Sequence, residues 1–262
     1  MVSRVRAIAM MRTLPTGRTC PLLMRCQRED ETEIDVVVKL IAGAHSSPTG
    51  LTCELIANLF ARDLDLRVPT PFLVEIDPGF HAAVGDPALA RRLRDSQGMN
   101  FGTEYITGGY TTWPPGRGIP QFLSHAAQEV YAFDAIVQNP DRRKDKPNLL
   151  VKGADVVLID HEMAFSFLYS LAPMAPVWTG AMPPFVTEHI FHNELRGQAT
   201  SFDRLRGALE AVDTRRLAMY REAVPREWRH GTVRAVEQII EYLDEQRMNS
   251  GALFGAIVRS LT

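Results

Sequence analysis

Cysteine is scarce in this chain. Three of 262 residues are Cys, at positions 20, 26 and 53, and no two form a C-x-x-C pair. An odd count without that spacing argues against a disulfide scaffold and a zinc knuckle, and it fits a reducing cytoplasm. Long apolar runs are missing too, since no stretch approaches the roughly 18 residues of a membrane span. The run from Ala7 to Met11 is closely flanked by Arg6 and Arg12 and is too short for a signal-peptide core. Net charge is small, −2, so a global basic surface for nucleic acid is not indicated. The chain has no H-E-x-x-H, and His189 with His192 lacks a nearby third ligand, which disfavours a metal hydrolase. There is no G-x-G-x-x-G either, so any phosphate-binding turn must be built differently.

What is present suits one large domain or two packed lobes: 45% hydrophobic residues and 23% charged. Strand patterns run over Val5–Met11, Pro21–Cys26, Ile34–Ile41, Phe72–Ile76 and Met99–Ile106. A helix is expected from about Leu51 to Leu64, with Leu51, Leu55, Leu59 and Phe60 as its apolar stripe. Pro78 to Gln97 reads as irregular, then helical. Trp113 to Gly118, with two prolines and two glycines, reads as a connector. A helix from about Gln121 to Val137 places Phe122, Ala126, Val130, Phe133 and Val137 on one side. Leu149–Val151 and Val156–Ile159 predict an apolar hairpin, and the chain after Glu188 reads as helical, with Val233, Val236, Ile239, Ile240 and Leu243 on one face. Strands, one helix, strands, a connector and then helices make a two-lobed α+β plan.

The chemistry concentrates between Asn139 and Glu162. Asp141 sits in Asn139-Pro140-Asp141-Arg142, on a loop directly after a long helix. Asn148 follows seven residues later and runs straight into an apolar strand, and Asp160 lies twelve beyond it. A hairpin between Asn148 and Asp160 would bring two oxygen ligands to one end of paired strands, which suits magnesium. Taken singly, Asp and Asn in loops are ordinarily turn formers.

This strip resembles the HipA-like serine/threonine kinases, which share the broad plan of protein kinases and phosphatidylinositol kinases. The N-x-D-R element matches Asn139 to Arg142, the Asn entering a strand matches Asn148, and Ile159-Asp160-His161-Glu162 sits where those kinases place D-F-G or D-F-D. The resemblance implies a protein kinase-like fold, with a β-rich N-lobe over 1–110, a hinge near 104–110 and a larger helical C-lobe over 111–262. It implies Asp141 as catalytic base and Asn148 with Asp160 as Mg2+ ligands. Lys39, at the end of Val36-Val37-Val38, looks like the phosphate-contacting lysine, and Glu54 like its helical partner. An edge-strand Lys and a solvated helical Glu would read the same way in isolation. Backbone groups of Glu104 and Ile106 would pair with adenine, with Tyr105 packing nearby, although an ordinary buried strand also fits. Thr16, Gly17 and Arg18 form the candidate phosphate loop, and a single Gly equally suits a hairpin turn.

The resemblance spans roughly Thr13 to Phe165 and departs from its pattern in places. The catalytic loop is two residues longer than D-x-x-x-x-N, which puts Lys146 at the usual Asn position, and a lysine cannot ligate a metal. His161 replaces an aromatic and is expected to pack, while Glu162 is a weak metal candidate. The chain is shorter than the HipA-like toxins, which puts a toxin role in doubt. The implied activity is ATP- and Mg2+-dependent transfer to a Ser or Thr hydroxyl of a protein or of the chain itself. Ala164 to about Pro184, with Ser166, Tyr169, Ser170 and Thr179, would be the activation segment. A pseudokinase-like nucleotide-binding module and a small-molecule phosphotransferase are the alternatives. The expected partner is ATP with an unidentified protein substrate, with no membrane and no direct nucleic-acid contact.

Overall fold

The structure, a computed structural model, describes residues 2–14, 19–42, 47–114, 116–170, 175–229 and 231–262. It is mixed α+β, with a β-rich N-terminal part and a helical C-terminal part. The chain forms two compact units that interleave in sequence. The first comprises Met1–Leu55, Pro69–Thr107 and Ala223–Val233; the second comprises Ile56–Val68, Gly108–Glu222 and Arg234–Thr262. No helix among the described residues is long and apolar enough to cross a membrane.

The first unit is built on a closed barrel of β1 (Ser3–Thr13), β2 (Leu22–Gln27), β3 (Glu33–Lys39), β4 (Pro71–Ile76) and β5 (Gly98–Glu104), in the order β1-β2-β3-β5-β4. Four of the five pairings are antiparallel, and β4 returns alongside β1 in parallel. Two register shifts in β1, at Ala7/Ala9 and Met10/Arg12, add the local twist that a small closed sheet needs. Alternation fills the interior: Val5 and Ala7, Leu22, Met24 and Cys26, Val36 and Val38, and Phe72, Val74 and Ile76 all belong to one core. The barrel is narrow at Gly102, where an added Cβ would lie 2.5 Å from Val36 Cγ1 and 2.7 Å from Val74 Cγ2. Helix α2 (Pro87–Asp95) starts where Asp86 accepts from the N–H groups of Ala88 and Leu89, and it adds Leu89 and Leu93 to that core.

Helix α1 (Pro48–Asp63) follows β3 and contributes its first half to this unit and its second half to the next. Expected over about Leu51 to Leu64, with Ser47-Pro48 or Thr49 able to start it, it begins at Pro48, which is well suited to a first helical turn, and Ser47 Oγ accepts from the Gly50 N–H.

In the second unit, α3 (Ser124–Ile136) is the central helix. The expected stripe is wrong at Phe122, which lies in a preceding 3-10 turn and is 64% exposed. From Ala127 to Ile136 every residue is buried, so the helix is enclosed on all sides. Its polar members therefore need partners: Glu129 receives a 2.6 Å bond from Arg204, and Asp134 anchors the network described below. The expected hairpin is present as β7 (Leu149–Lys152) and β8 (Asp155–Leu158), turning at Gly153 with φ of 58°, and the short β6 (Thr111–Thr112) pairs with β7. Trp113, at the start of the expected connector, is buried edge-on against Phe191, with ring centroids 5.1 Å apart. Helices α4 (His192–Leu195), α5 (Asp203–Ala211), α6 (Thr214–Ala223), α7 (Arg226–Arg229), α8 (Val233–Met248) and α9 (Ser250–Arg259) complete the chain. Four of the five expected stripe residues of α8 are buried, whereas Val233, its first residue, is 57% exposed.

Candidate active site

Two clusters carry the chemistry, one in each unit. In the first, Lys39 ends β3, with the apolar Val36 and Val38 turned inward before it. Its Nζ lies 2.7 Å from Glu54 Oε2 on α1, and the two side chains are only 10% and 3% exposed. A buried ammonium requires a compensating carboxylate, and this pairing sets Lys39 apart from an edge-strand lysine in water. The turn after β3 is pinned as well: the Ile41 N–H donates to Asn100 Oδ1 at 2.9 Å and the Ala42 N–H to Ser96 Oγ at 3.1 Å.

At the end of β5, the Glu104 N–H donates to Thr70 O and the Tyr105 N–H to Asp35 O, both at 2.9 Å. An adenine pairing at Glu104 would therefore fall to its carbonyl. The Tyr105 hydroxyl receives a bond from Arg12 at 3.1 Å. Thr16, Gly17 and Arg18, the candidate phosphate loop, lie outside the described residues.

In the second unit the structure brings Asp141, Asn148 and Asp160 together. The Asp141 N–H donates to Asn139 Oδ1 at 3.1 Å, which fixes the turn after α3. Asn148 Nδ2 donates to Asp141 O at 3.3 Å and lies 3.4 Å from Asp141 Oδ2. The backbones of the two expected metal ligands are joined through their neighbour, because the Ile159 N–H donates to Asn148 O at 3.1 Å. Asn148 and Asp160 both have left-handed backbones, with φ of 50° and 60°. Gln138 and Phe165 share that conformation, so four of the seven non-glycine residues with positive φ, among those described, fall in this short strip. Such strain persists only where surrounding bonds over-determine it. Those bonds include Phe165 N–H to Val137 O at 2.6 Å and Ser166 N–H to Gln138 O at 3.3 Å, which tie the strip to the end of α3.

Lys146 completes the cluster. Its Nζ donates to Asp141 Oδ2 and lies 3.2 Å from Asp160 Oδ2. Half-burial disfavours the ammonium, but Asp160 and Asp141 outweigh that and hold its pKa above the usual lysine value. His161 is buried edge-on to Phe133, at 5.7 Å between ring centroids, in keeping with the packing role expected of it.

Beneath this surface lies a buried network that sequence reasoning missed. Asp134, on the enclosed face of α3, accepts from Arg142 Nε at 2.5 Å and Nη2 at 3.3 Å, from Asn139 Nδ2 at 3.0 Å and from His189 Nε2 at 3.0 Å. Arg142 spends its remaining Nη1 on the carbonyl of Asn148 and, at 3.3 Å, on that of Ile159. The residue after Asp141 thus ties down the backbone at both expected metal ligands. The available signal was a lone carboxylate in Ala132-Phe133-Asp134-Ala135-Ile136, where an enclosed helix cannot keep an unpaired charge.

Burial alone would raise the Asp134 carboxyl, yet Arg142 and His189 bring it down to about 2. Burial, with the charges of Arg142 and His192, pushes His189 down despite the opposing pull of Asp134. Its ring is therefore neutral, with Nε2–H donated to Asp134 and Nδ1 accepting from the Phe191 N–H at 3.2 Å. Unfolded imidazole titrates near pH ~6.5. Below that, the unfolded chain binds a proton that native His189 refuses, so this contribution is intact above the unfolded value and is lost as pH falls towards the native one. The free energy of unfolding measured in urea is expected to fall as pH drops below about 6.5, by up to about 1.4 kcal/mol per pH unit from this residue. His189→Gln should flatten that part of the slope, and an unchanged slope would contradict the assignment.

Asn148 Nδ2 faces Asp141, and an amide oxygen from Asn148 with the Asp160 carboxylate would offer the oxygen donors that magnesium takes. A family model described as HipA-like kinase matches residues 7–249. The crystal structure of a Helicobacter pylori proinflammatory kinase, CtkA, is similar at a TM-score of 0.53 and 12% identity, covering 98% of this chain and 100% of that one. That likeness bears on the fold. Comparison with curated protein sequences finds no match.

Proposed function

This chain belongs to the HipA-like kinase family, and from that premise we propose that it transfers the γ-phosphoryl group of ATP, with magnesium, to a Ser or Thr hydroxyl of a protein or of the chain itself. The observation that carries this reading is the convergence of Asp141 and Asn148 with Lys146 and Asp160 at one end of the β7–β8 hairpin. The two-lobed kinase plan, with lobes over 1–110 and 111–262, and a cytoplasmic location belong to the same proposal.

Phosphoryl transfer asks the protein chiefly to position groups and balance charge. Asn148 and Asp160 would hold magnesium, which when bound would offset the charge of the phosphate oxygens. Lys39, steadied by Glu54, would contact the phosphates, and the Glu104 carbonyl and Ile106 backbone, with Tyr105 beside them, would receive adenine. Thr16, Gly17 and Arg18 would contribute to phosphate binding. Asp141 would accept the proton of the acceptor hydroxyl as its oxygen forms a bond to the γ-phosphorus. The bond from that phosphorus to the β,γ-bridging oxygen breaks, and ADP leaves with the electron pair.

Lys39→Met tests the phosphate-binding half. Calorimetric titration with MgATP should show affinity reduced by about ten- to a hundredfold, on the order of 1.4 kcal/mol per decade. Wild-type affinity in a variant of native circular dichroism would remove Lys39 from the nucleotide site.

A further inference from the structure

We infer that Lys146 is a displaceable counter-cation for the metal-binding carboxylate: its ammonium bridges Asp141 and Asp160 before magnesium arrives, and gives up Asp160 while keeping Asp141 when the metal binds. The inference rests on the assignment of Asp160 as a metal ligand.

The geometry is that of a clamp between two carboxylates. Lys146 Nζ contacts Asp141 Oδ2 and lies 3.2 Å from Asp160 Oδ2, and the two acidic side chains are only 15% and 23% exposed. Partly buried like charges disfavour each other unless a cation lies between them. The Lys146 side chain is itself 32% exposed, so its stem has solvent to move into.

Its backbone, by contrast, is held. Arg143 and Lys146 exchange two backbone bonds of 3.1 Å, Arg143 pairs with Asp145, and Pro147 follows. A fixed Cα with a mobile four-carbon stem lets the ammonium swing without disturbing the loop.

Residue choice points the same way. The chain contains four lysines, at 39, 144, 146 and 152, against twenty-five arginines. A guanidinium would grip a carboxylate through a two-pronged fork, whereas an ammonium is a compact, strongly hydrated point charge that is more readily exchanged for another cation. Lys146 stands five residues after Asp141, the sequence position at which the shorter loop carries its Asn.

The test is a titration of the full chain with Mn2+, a paramagnetic stand-in for magnesium, without nucleotide, read by electron paramagnetic resonance. Asp160→Asn should weaken Mn2+ binding more than tenfold. Lys146→Met should tighten it by about three- to tenfold, because the competing cation is gone. Lys146→Arg, which keeps the charge, should weaken it at least threefold through a firmer hold on Asp160. Unchanged or weaker binding in a folded Lys146→Met would overturn the inference. If that variant does not fold, unchanged or tighter binding in Lys146→Arg would overturn it equally. Wild-type binding by Asp160→Asn would instead refute the metal assignment, which keeps the two failures distinct.

Discussion

Asp141→Asn should lower the rate of phosphoryl transfer by about 10²- to 10⁴-fold, the range a positioned general base contributes, while MgATP affinity changes by less than about threefold. The substitution retains the shape and the backbone N–H bond to Asn139, and it removes the carboxylate that would take the acceptor's proton. Asp160→Asn should also lower turnover, with a different signature, because it removes a ligand to the metal and raises the magnesium concentration needed for half-maximal rate. Transfer can be followed with γ-labelled ATP by intact mass or radiolabel, on the chain itself and on added protein acceptors. Full transfer by Asp141→Asn would refute the base assignment. Tight ATP binding by wild type with no transfer to any acceptor would favour the nucleotide-binding module over the kinase.

Arg142→Met should cost the fold about 3–5 kcal/mol, the range for breaking a buried ion pair by removing one partner. Arg142 and Asp134 side chains are 0% and 1% exposed, so the substitution leaves a buried carboxylate without its cationic partner, held only by Asn139 and His189. Against a total stability of roughly 5–15 kcal/mol, such a loss is large. Asn148 and Ile159 lose a donor to their carbonyls at the same stroke. Arg142→Lys should recover little, because an ammonium cannot hold Asp134 through two nitrogens and reach both carbonyls. The double variant Asp134→Leu, Arg142→Met should be less destabilised than the sum of the single variants, since it leaves no stranded charge. Urea unfolding measures all four proteins, and additive losses would mean that the pair is not coupled.

The surface of the site was legible in the sequence and its foundation was not. Asp141, Asn148 and Asp160 could be read because each sits where a helix, a loop and an apolar strand meet, and local pattern marks such junctions. Lys39 and Glu54 were legible only as a resemblance, and the 2.7 Å contact between them adds the physical reason for a lysine on an apolar strand. Asp134 and His189 were hidden because they lie 55 residues apart and meet only through tertiary packing. Lys146 was visible but looked like a defect, because a spacing rule registers a missing ligand and not a cation aimed at two carboxylates. The Phe122 error has a related cause. A helical stripe assumes one buried face, and α3 is buried on every side from Ala127 onward, while the 3-10 turn that precedes it turns Phe122 out.

The central claim is that this chain binds ATP through magnesium, and thermal unfolding with millimolar ATP tests it most directly, with and without Mg2+. The account predicts a rise in melting temperature that requires both together, is abolished by Asp160→Asn and is reduced by Lys39→Met. A melting temperature unmoved by millimolar ATP and Mg2+ would contradict it.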